Sequence, residues 1–316
     1  MSKRLNIVFL DAATVGEVDK LSAFNRVGNY KQYDYTNPSE RIEHIGDSEV
    51  VITNKVVIDR EVMETCSSLK LICIAATGMN NVDLDYAAKK GIQVKNVAGY
   101  STESVVQATF SMLFYLMHSS SYYDRYVKSG DYSRSPIFTH HGKEFQELRG
   151  KFFGIIGMGA IGKRVAQIAQ VFGAHVIYYS SSGKNLAADF EHRNLADLLK
   201  IADVVSIHCP LNENTRNLIN AERLAMMKPT AFLLNMGRGG VVDEPALAAA
   251  LDRDEIAGAA LDVLIREPIE KNNPLLMIKN THKIFITPHI AWASREAREL
   301  LIEKIAENIQ SYISGA

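Results

Sequence analysis

Apolar and polar positions in this chain are grouped into blocks. Through the first hundred residues, short strand-like segments recur at 5–11, 30–35, 49–54, 69–76 and 92–97. Polar or amphipathic stretches of helical length separate them, at 38–45, 59–66 and 84–90. Strand-like segments alternating with helical stretches in this way predict a doubly wound parallel sheet of the α/β kind. A longer pattern then starts at Ser101. Val105, Val106, Thr109, Phe110, Leu113, Phe114 and Met117 fall at helical spacing behind a Ser-Thr-Glu start, which predicts a helix. From 119 to 150 the chain is polar and aromatic-rich with little period, and reads as loop and short helix.

Alternation resumes at Lys151. Strands are predicted near 152–156, 175–179, 204–209, 231–235, 258–262 and 283–287, with helices at 160–172, 194–201, 221–227 and 244–251. Six strands with helices between them make a complete second doubly wound domain. The tail, 294–313, is one amphipathic helix with Ala297, Leu300, Leu301, Ile305, Ile309 and Ile313 on its apolar side. Past the last strand it has no partner in the second domain, so it is expected to return to the first. The predicted domains are 1–100 plus 291–316, and 101–290.

Where the second domain begins, the sequence reads GIIGMGAIGKRVA, with Gly157, Gly159 and Gly162 as G-x-G-x-x-G. A strand enters this run and a helix leaves it, the context in which the motif signals dinucleotide binding. Gly157 allows the tight turn, Gly159 lets a pyrophosphate approach the backbone, and Gly162 lets helix and strand pack closely. The helix N-terminus adds N–H donors for phosphate.

Bulk properties narrow the class. At 316 residues the chain exceeds one hydrophobic core, and 47% apolar with 22% charged residues is a globular composition. A formal net charge of −1 provides no basic field for nucleic acid or an anionic membrane. No apolar run approaches the ~20 residues of a membrane span. The N-terminal apolar run is broken by Asp11, too early for a signal peptide, and reads as a first strand. Cys66, Cys73 and Cys209 are scattered in apolar contexts and read as reduced thiols of a cytoplasmic protein, with neither a disulfide framework nor a metal site.

Three polar residues follow strands on the edge where α/β sheets hold ligands. Arg238 lies in LLNMGRGGVVD, Glu267 in AALDVLIREP and His289 in FITPHIAWAS. Taken singly, each also reads as a solvated arginine, a surface carboxylate or a structural histidine. His208 resembles His289 in position, and there the structural reading is preferred.

Together, VLIREP, NMGRGG and TPHIAW behind a mid-chain GMGAIG resemble the D-isomer-specific 2-hydroxyacid dehydrogenases. ATGMNNVD at 76–83 and HCPLNENTRNLI at 208–219 extend the likeness essentially end to end. VAGYSTESV, SPIF and PHIAWASREAR look most like the glycerate dehydrogenase and hydroxypyruvate reductase branch.

The resemblance implies a flavodoxin-like substrate domain and a Rossmann cofactor domain, and an NAD(P)-dependent exchange between a small 2-oxo acid and its D-2-hydroxy acid. Reduction of hydroxypyruvate or glyoxylate is the expected reaction. His289 is then the proton donor, Glu267 orients its ring, and Arg238 pairs with the substrate carboxylate and polarises the carbonyl. The turn at Thr77, Gly78 and Met79 resembles the loop whose N–H groups hold that carboxylate. Cofactor contacts fall to Gly157, Gly159, Ala160, Ile161, Gly162, Ser180, Ser181, Lys184, Cys209, Pro210, Thr215, Met236 and Asp262. The 101–117 helix and the following aromatic stretch resemble the family's dimer arm, so a homodimer is expected.

One departure bears on the cofactor. NAD-specific Rossmann domains carry an acidic residue at the end of the second strand, where this chain has Ser180, followed by Ser181, Ser182 and Lys184. That favours NADP(H) or dual use; the competing reading has Ser180 bonding the NAD ribose. Formate-oxidising relatives are disfavoured because they carry Gln where this chain has Glu267. The alternative from another class is a dinucleotide-sensing corepressor, which shares the fold and even the trio. Such proteins carry extra terminal regions, and none is expected here.

Overall fold

The computed structural model describes residues 4–183, 187 and 189–315. Strands form at most of the apolar runs of the sequence and at a few polar stretches on the sheet edges. In the first unit, Met1–Ser101 with Ala293–Ala316, they are β1 (Asn6–Phe9), β2 (Asn29–Gln32), β3 (Val50–Thr53), β4 (Leu71–Ile74) and β5 (Gln93–Lys95). They pair in parallel in the order β2-β1-β3-β4-β5, the flavodoxin-like order. The central strands β3 and β4 are buried throughout, as a sheet covered on both faces requires, and the polar β2 takes an edge. The helices of this stretch are α1 (Phe24–Val27), α2 (Arg41–Ile45), α3 (Arg60–Thr65) and α4 (Leu84–Lys90). Asp59 and Asp83 start α3 and α4 by accepting the Val62 and Tyr86 N–H groups at 3.1 and 3.0 Å.

A buried carboxylate organises the carboxyl edge of this sheet. Asp11, just past β1, accepts N–H groups of Asn54 at 2.8 Å, Lys55 at 2.6 Å and Val56 at 3.2 Å. It thereby fixes the loop after β3. That loop is stitched to the turn after β4, since Asn81 Nδ2 donates to Val56 O at 3.0 Å and Ile58 N–H to Asn81 O at 2.8 Å. The turn at Thr77, Gly78 and Met79 is therefore braced by its neighbour.

The second unit, Thr102–Trp292, opens with α5 (Thr102–Met117) and α6 (Ser120–Lys128). It continues with β6 (Phe152–Ile156), α7 (Ala160–Val171), β7 (His175–Tyr179), β8 (Glu191–His192), α8 (Leu195–Ile201) and β9 (Val204–Ile207). Then come α9 (Ala221–Leu224), β10 (Phe232–Asn235), α10 (Glu244–Asp252), β11 (Gly258–Leu261) and β12 (Ile284–Ile286). The order β12-β11-β10-β9-β6-β7-β8, parallel throughout, is the Rossmann order, reversing between β6 and β9. The expected six strands become seven among the described residues. The addition is β8, whose two residues, both exposed, pair with Ile177 and Tyr178. A two-residue polar edge strand leaves no hydrophobic pattern to read.

On α5, Val105, Val106, Thr109, Phe110, Met112, Leu113, Leu116 and Met117 are buried, and the helix packs on α7 and on β10, β11 and β12. The last helix, α11 (Arg295–Ser314), belongs to the first unit. It buries Ala297, Leu301, Ile302, Ile305 and Ile309 and packs against α1, β4 and the segment 19–23.

Candidate active site

Neighbouring strands β10, β11 and β12 each deliver one candidate residue past their carboxyl ends. Arg238 follows β10, Glu267 follows β11 and His289 follows β12. Glu267 Oε2 lies 2.7 Å from His289 Nδ1, while its Oε1 accepts the Leu264 N–H at 2.9 Å. One carboxylate oxygen is thus tied to its own loop, and the other fixes the imidazole and assigns the hydrogen to Nδ1. Nε2 is left for a reacting group. The imidazole is 24% and the carboxylate 35% exposed, so the pair is within reach of a ligand. Arg238 is exposed. Among the described residues its guanidinium donates only to Gly237 O, at 2.8 Å, which leaves most of its donor fork for a ligand.

Two buried side chains hold these loops. Asp262, 2% exposed, accepts the Thr287 hydroxyl at 2.6 Å and the N–H groups of Ile290 and Ala291 at 2.8 and 3.0 Å. Those residues flank His289, whose φ of 55° lies in the left-handed region uncommon for non-glycine residues. Such a conformation persists only when its surroundings fix it, and Asp262 supplies that fixture. Burial pushes the Asp262 carboxyl above its ordinary range, while the Thr287 hydroxyl and the two N–H groups pull it back. Asn235, 1% exposed, accepts the Gly237 N–H at 3.1 Å and donates to Arg238 O at 2.9 Å. Its main-chain carbonyl accepts the Asp262 N–H at 3.1 Å, which links the two loops. His208 is different: its Nε2 meets Ser206 Oγ at 2.8 Å, and burial lowers its pKa to about 3, so the ring is neutral.

The glycine turn between β6 and α7 has the shape a dinucleotide requires. Gly157 has φ 98°, and a Cβ there would sit 2.7 Å from Cys209 N. At Gly159 a Cβ would meet nothing within 4 Å, so this face is open, and Gly159, the N-cap of α7, has no side chain to cap its first turn. At the end of β7, Ser180 is 8% exposed and its Oγ has no partner among the described residues. An open glycine face, uncapped helical N–H groups and an orphaned hydroxyl off the second strand fit the pyrophosphate and adenosine ribose of such a cofactor. Gly162 closes the cradle, because a Cβ there would lie 2.1 Å from Gly157 O. A main-chain oxygen cannot swing aside as a side chain does. Gly162→Ala is therefore expected to destabilise the second unit by about 1–3 kcal/mol and to weaken dinucleotide binding, read by urea unfolding and fluorescence titration. Unchanged stability with unchanged affinity would show that the helix can shift freely.

The other expected cofactor residues are distributed around this edge. Ala160 and Ile161 begin α7, exposed and half-buried respectively, and Ser181 is half-buried beside Ser180. Cys209 and Pro210 follow β9. Burial pushes the Cys209 thiol up to about 11. Thr215, fully buried, donates to Pro210 O at 2.7 Å and accepts the Asn212 N–H at 2.8 Å, so its hydroxyl is spent inside that turn. Met236, 7% exposed, continues from β10. Lys184 lies outside the described residues. In the first unit, Thr77 Oγ1 donates to Val97 O at 3.1 Å and Asn96 Nδ2 donates to Thr77 O at 2.6 Å, with Gly78 and Met79 half-buried beside them. Sequence reasoning missed Asn235 and Thr287. Both are polar residues closing an apolar strand at the ligand edge, a signal the sequence did contain.

The family model for the D-isomer specific 2-hydroxyacid dehydrogenase NAD binding domain matches residues 110–291. The chain is 36% identical to a hydroxypyruvate reductase of Blautia hydrogenotrophica, over 99% of this chain and 98% of that one. With a glycerate dehydrogenase of Methylorubrum extorquens it shares 34% identity, over 98% and 96% of the two chains. Among solved structures it superposes on a D-lactate dehydrogenase of Aquifex aeolicus complexed with NAD and lactic acid. There the TM-score is 0.83 and the identity 28%, with 98% and 96% of the chains covered.

Proposed function

The chain belongs to the D-isomer-specific 2-hydroxyacid dehydrogenases, and we propose that within this family it reduces hydroxypyruvate or glyoxylate, preferring NADPH, as a cytoplasmic homodimer. The observation that carries the reading is the 2.7 Å contact between Glu267 and His289 Nδ1, set beside Arg238 on adjoining strand ends.

A nicotinamide dinucleotide, when bound, supplies the hydride that reduces the carbonyl carbon. Gly157, Gly159, Ala160, Ile161 and Gly162 would hold its pyrophosphate, Ser180 and Ser181 its adenosine ribose, with Cys209, Pro210 and Met236 lining the remaining length, while Thr215 and Asp262, their polar atoms spent on neighbouring turns, hold the loops beside it. Arg238 pairs its planar fork with the substrate carboxylate and draws electron density from the carbonyl oxygen. His289 Nε2 gives its proton to that oxygen as the new alcohol forms, and takes it back in the oxidative direction. Glu267, bonded to Nδ1, holds the ring in place and stabilises its protonated form.

The likeness to a hydroxypyruvate reductase and a glycerate dehydrogenase supports the substrate choice. The orphaned Ser180 hydroxyl, standing where NAD-specific domains carry a carboxylate, supports the cofactor choice. For the dimer, α6 buries none of its own residues, and Val127, Ile137, Phe138 and Phe145 nearby are exposed, Phe138 at 89%. A monomer seldom leaves that much apolar surface in water. Buried thiols at Cys66, Cys73 and Cys209 suit a reducing compartment.

Steady-state reduction of each acid with NADH and with NADPH tests the reading, alongside Ser180→Asp. A carboxylate at 180 should lower kcat/KM with NADPH by about 10- to 100-fold, the scale of a like-charge contact, and spare NADH. An equal effect on both dinucleotides would remove the 2′-phosphate argument. No turnover of either acid by a folded, dinucleotide-binding protein would overturn the substrate assignment.

A further inference from the structure

Glu244 takes no part in the chemistry above, yet it is only 4% exposed. A carboxylate is rarely buried without partners, and here the partners are remote in sequence. Its Oε1 accepts the Ile265 N–H at 2.6 Å, and its Oε2 accepts the Asn273 side-chain amide at 2.7 Å. Asn273 is 8% exposed and is itself held, its Oδ1 accepting the Leu275 N–H at 3.0 Å. Glu244 also opens α10, directly after the turn that carries Arg238. The main chains there run close, since a Cβ on Gly239 would lie 1.9 Å from the Leu264 carbonyl carbon. Consecutive amides of the loop after β11 are thus pinned, Leu264 by Glu267 Oε1 and Ile265 by Glu244. The Ile265 side chain is 56% exposed, so it is the backbone that anchors the loop at this residue.

We infer that Glu244 is a positioning residue for the reaction: clamped between the Ile265 N–H and the Asn273 amide, it seats the 264–267 loop so that Glu267 meets His289. The inference rests on His289 being the proton donor. Glu244 acts through Glu267 and has no need to touch substrate. A displacement of the loop by a fraction of an ångström loosens the Glu267–His289 bond and lets the ring turn, which lowers kcat and leaves the dinucleotide cradle alone.

Glu244→Gln provides the test. The new amide can accept from Ile265 only by turning its NH2 group toward the Asn273 NH2 group, so two donors face each other. The expected result is a fall in kcat of about 10- to 100-fold with unchanged dinucleotide affinity. Adding Asn273→Asp sets an acceptor opposite the new donor and still accepts the Leu275 N–H. The double variant should recover most of the lost kcat, a non-additive rescue that simple loss of stability does not produce. Wild type is assayed alongside. If wild type fails to turn over either acid, it is the substrate assignment that fails, an outcome distinct from those that bear on Glu244. If wild type turns over and Glu244→Gln keeps its kcat, or the double variant is no better than the single, this inference is overturned. Should Glu244→Gln not fold, Asn273→Ala leaves the carboxylate on Ile265 and removes the second clamp. Reduced kcat at unchanged dinucleotide affinity then supports the positioning role, and wild-type kcat overturns it.

Discussion

Arg238→Ala should lower kcat/KM for the 2-oxo acid by about 10³-fold while leaving dinucleotide affinity as it was. The size of the effect follows from two duties that fall on one side chain. Its fork pairs with the substrate carboxylate, and truncating one member of such a pair costs about 2–5 kcal/mol. It also stabilises the charge growing on the carbonyl oxygen, an interaction strongest in the transition state, so kcat falls as well as KM rising. Among the described residues the guanidinium donates only to Gly237 O, at 2.8 Å, so little of the fold depends on it. The variant should therefore fold normally. Arg238→Lys separates the duties: it restores a point charge without the planar fork and should recover only part of the loss. Steady-state kinetics with a dinucleotide titration decides the matter. Alanine at 238 with full kcat/KM would remove Arg238 from the mechanism.

How much of this was legible beforehand depends on the range of the interaction. The Gly157-to-Gly162 run, the strands on either side of it and the placement of Arg238, Glu267 and His289 at strand ends follow from local order alone. Sheet topology then brings β10, β11 and β12 side by side. What local order cannot supply is the direction in which a buried polar group turns. Asp262 closes an apolar strand and was expected at the cofactor; its carboxylate bonds to Thr287, Ile290 and Ala291, residues far along the chain. Glu244 reads in sequence only as the first residue of a helix. Its partners Ile265 and Asn273 lie 21 and 29 residues away. Strand β8 was missed because two polar residues carry no period, and the short helical segments at 12–27 because none is long enough to show an amphipathic face.

For His289 the most informative replacement is asparagine, because of the backbone. With φ at 55°, the position suits Asn better than most residues, so His289→Asn should keep the loop that Asp262 holds. It leaves no side chain able to give a proton. Loss of a positioned general acid costs about 10²- to 10⁴-fold, and that fall should appear in kcat. KM for the acid should change little, because carboxylate recognition stays with Arg238. Dinucleotide affinity should not change, since the glycine cradle and Ser180 are untouched. Glu267→Gln should cost less than His289→Asn, because the ring and its proton remain and only the carboxylate that stabilises the protonated form is lost. The order of the two effects is the sharper test. If Glu267→Gln proved the more damaging, the proton would not be coming from the imidazole, and the carboxylate itself would have to be the acid. Pre-steady-state reduction in H2O and in D2O adds a second check. With the acid removed, carbonyl protonation should limit the chemical step, so a solvent isotope effect should emerge in His289→Asn that is smaller in wild type. Equal solvent effects in the two proteins would place proton delivery outside the limiting step and His289 outside that role.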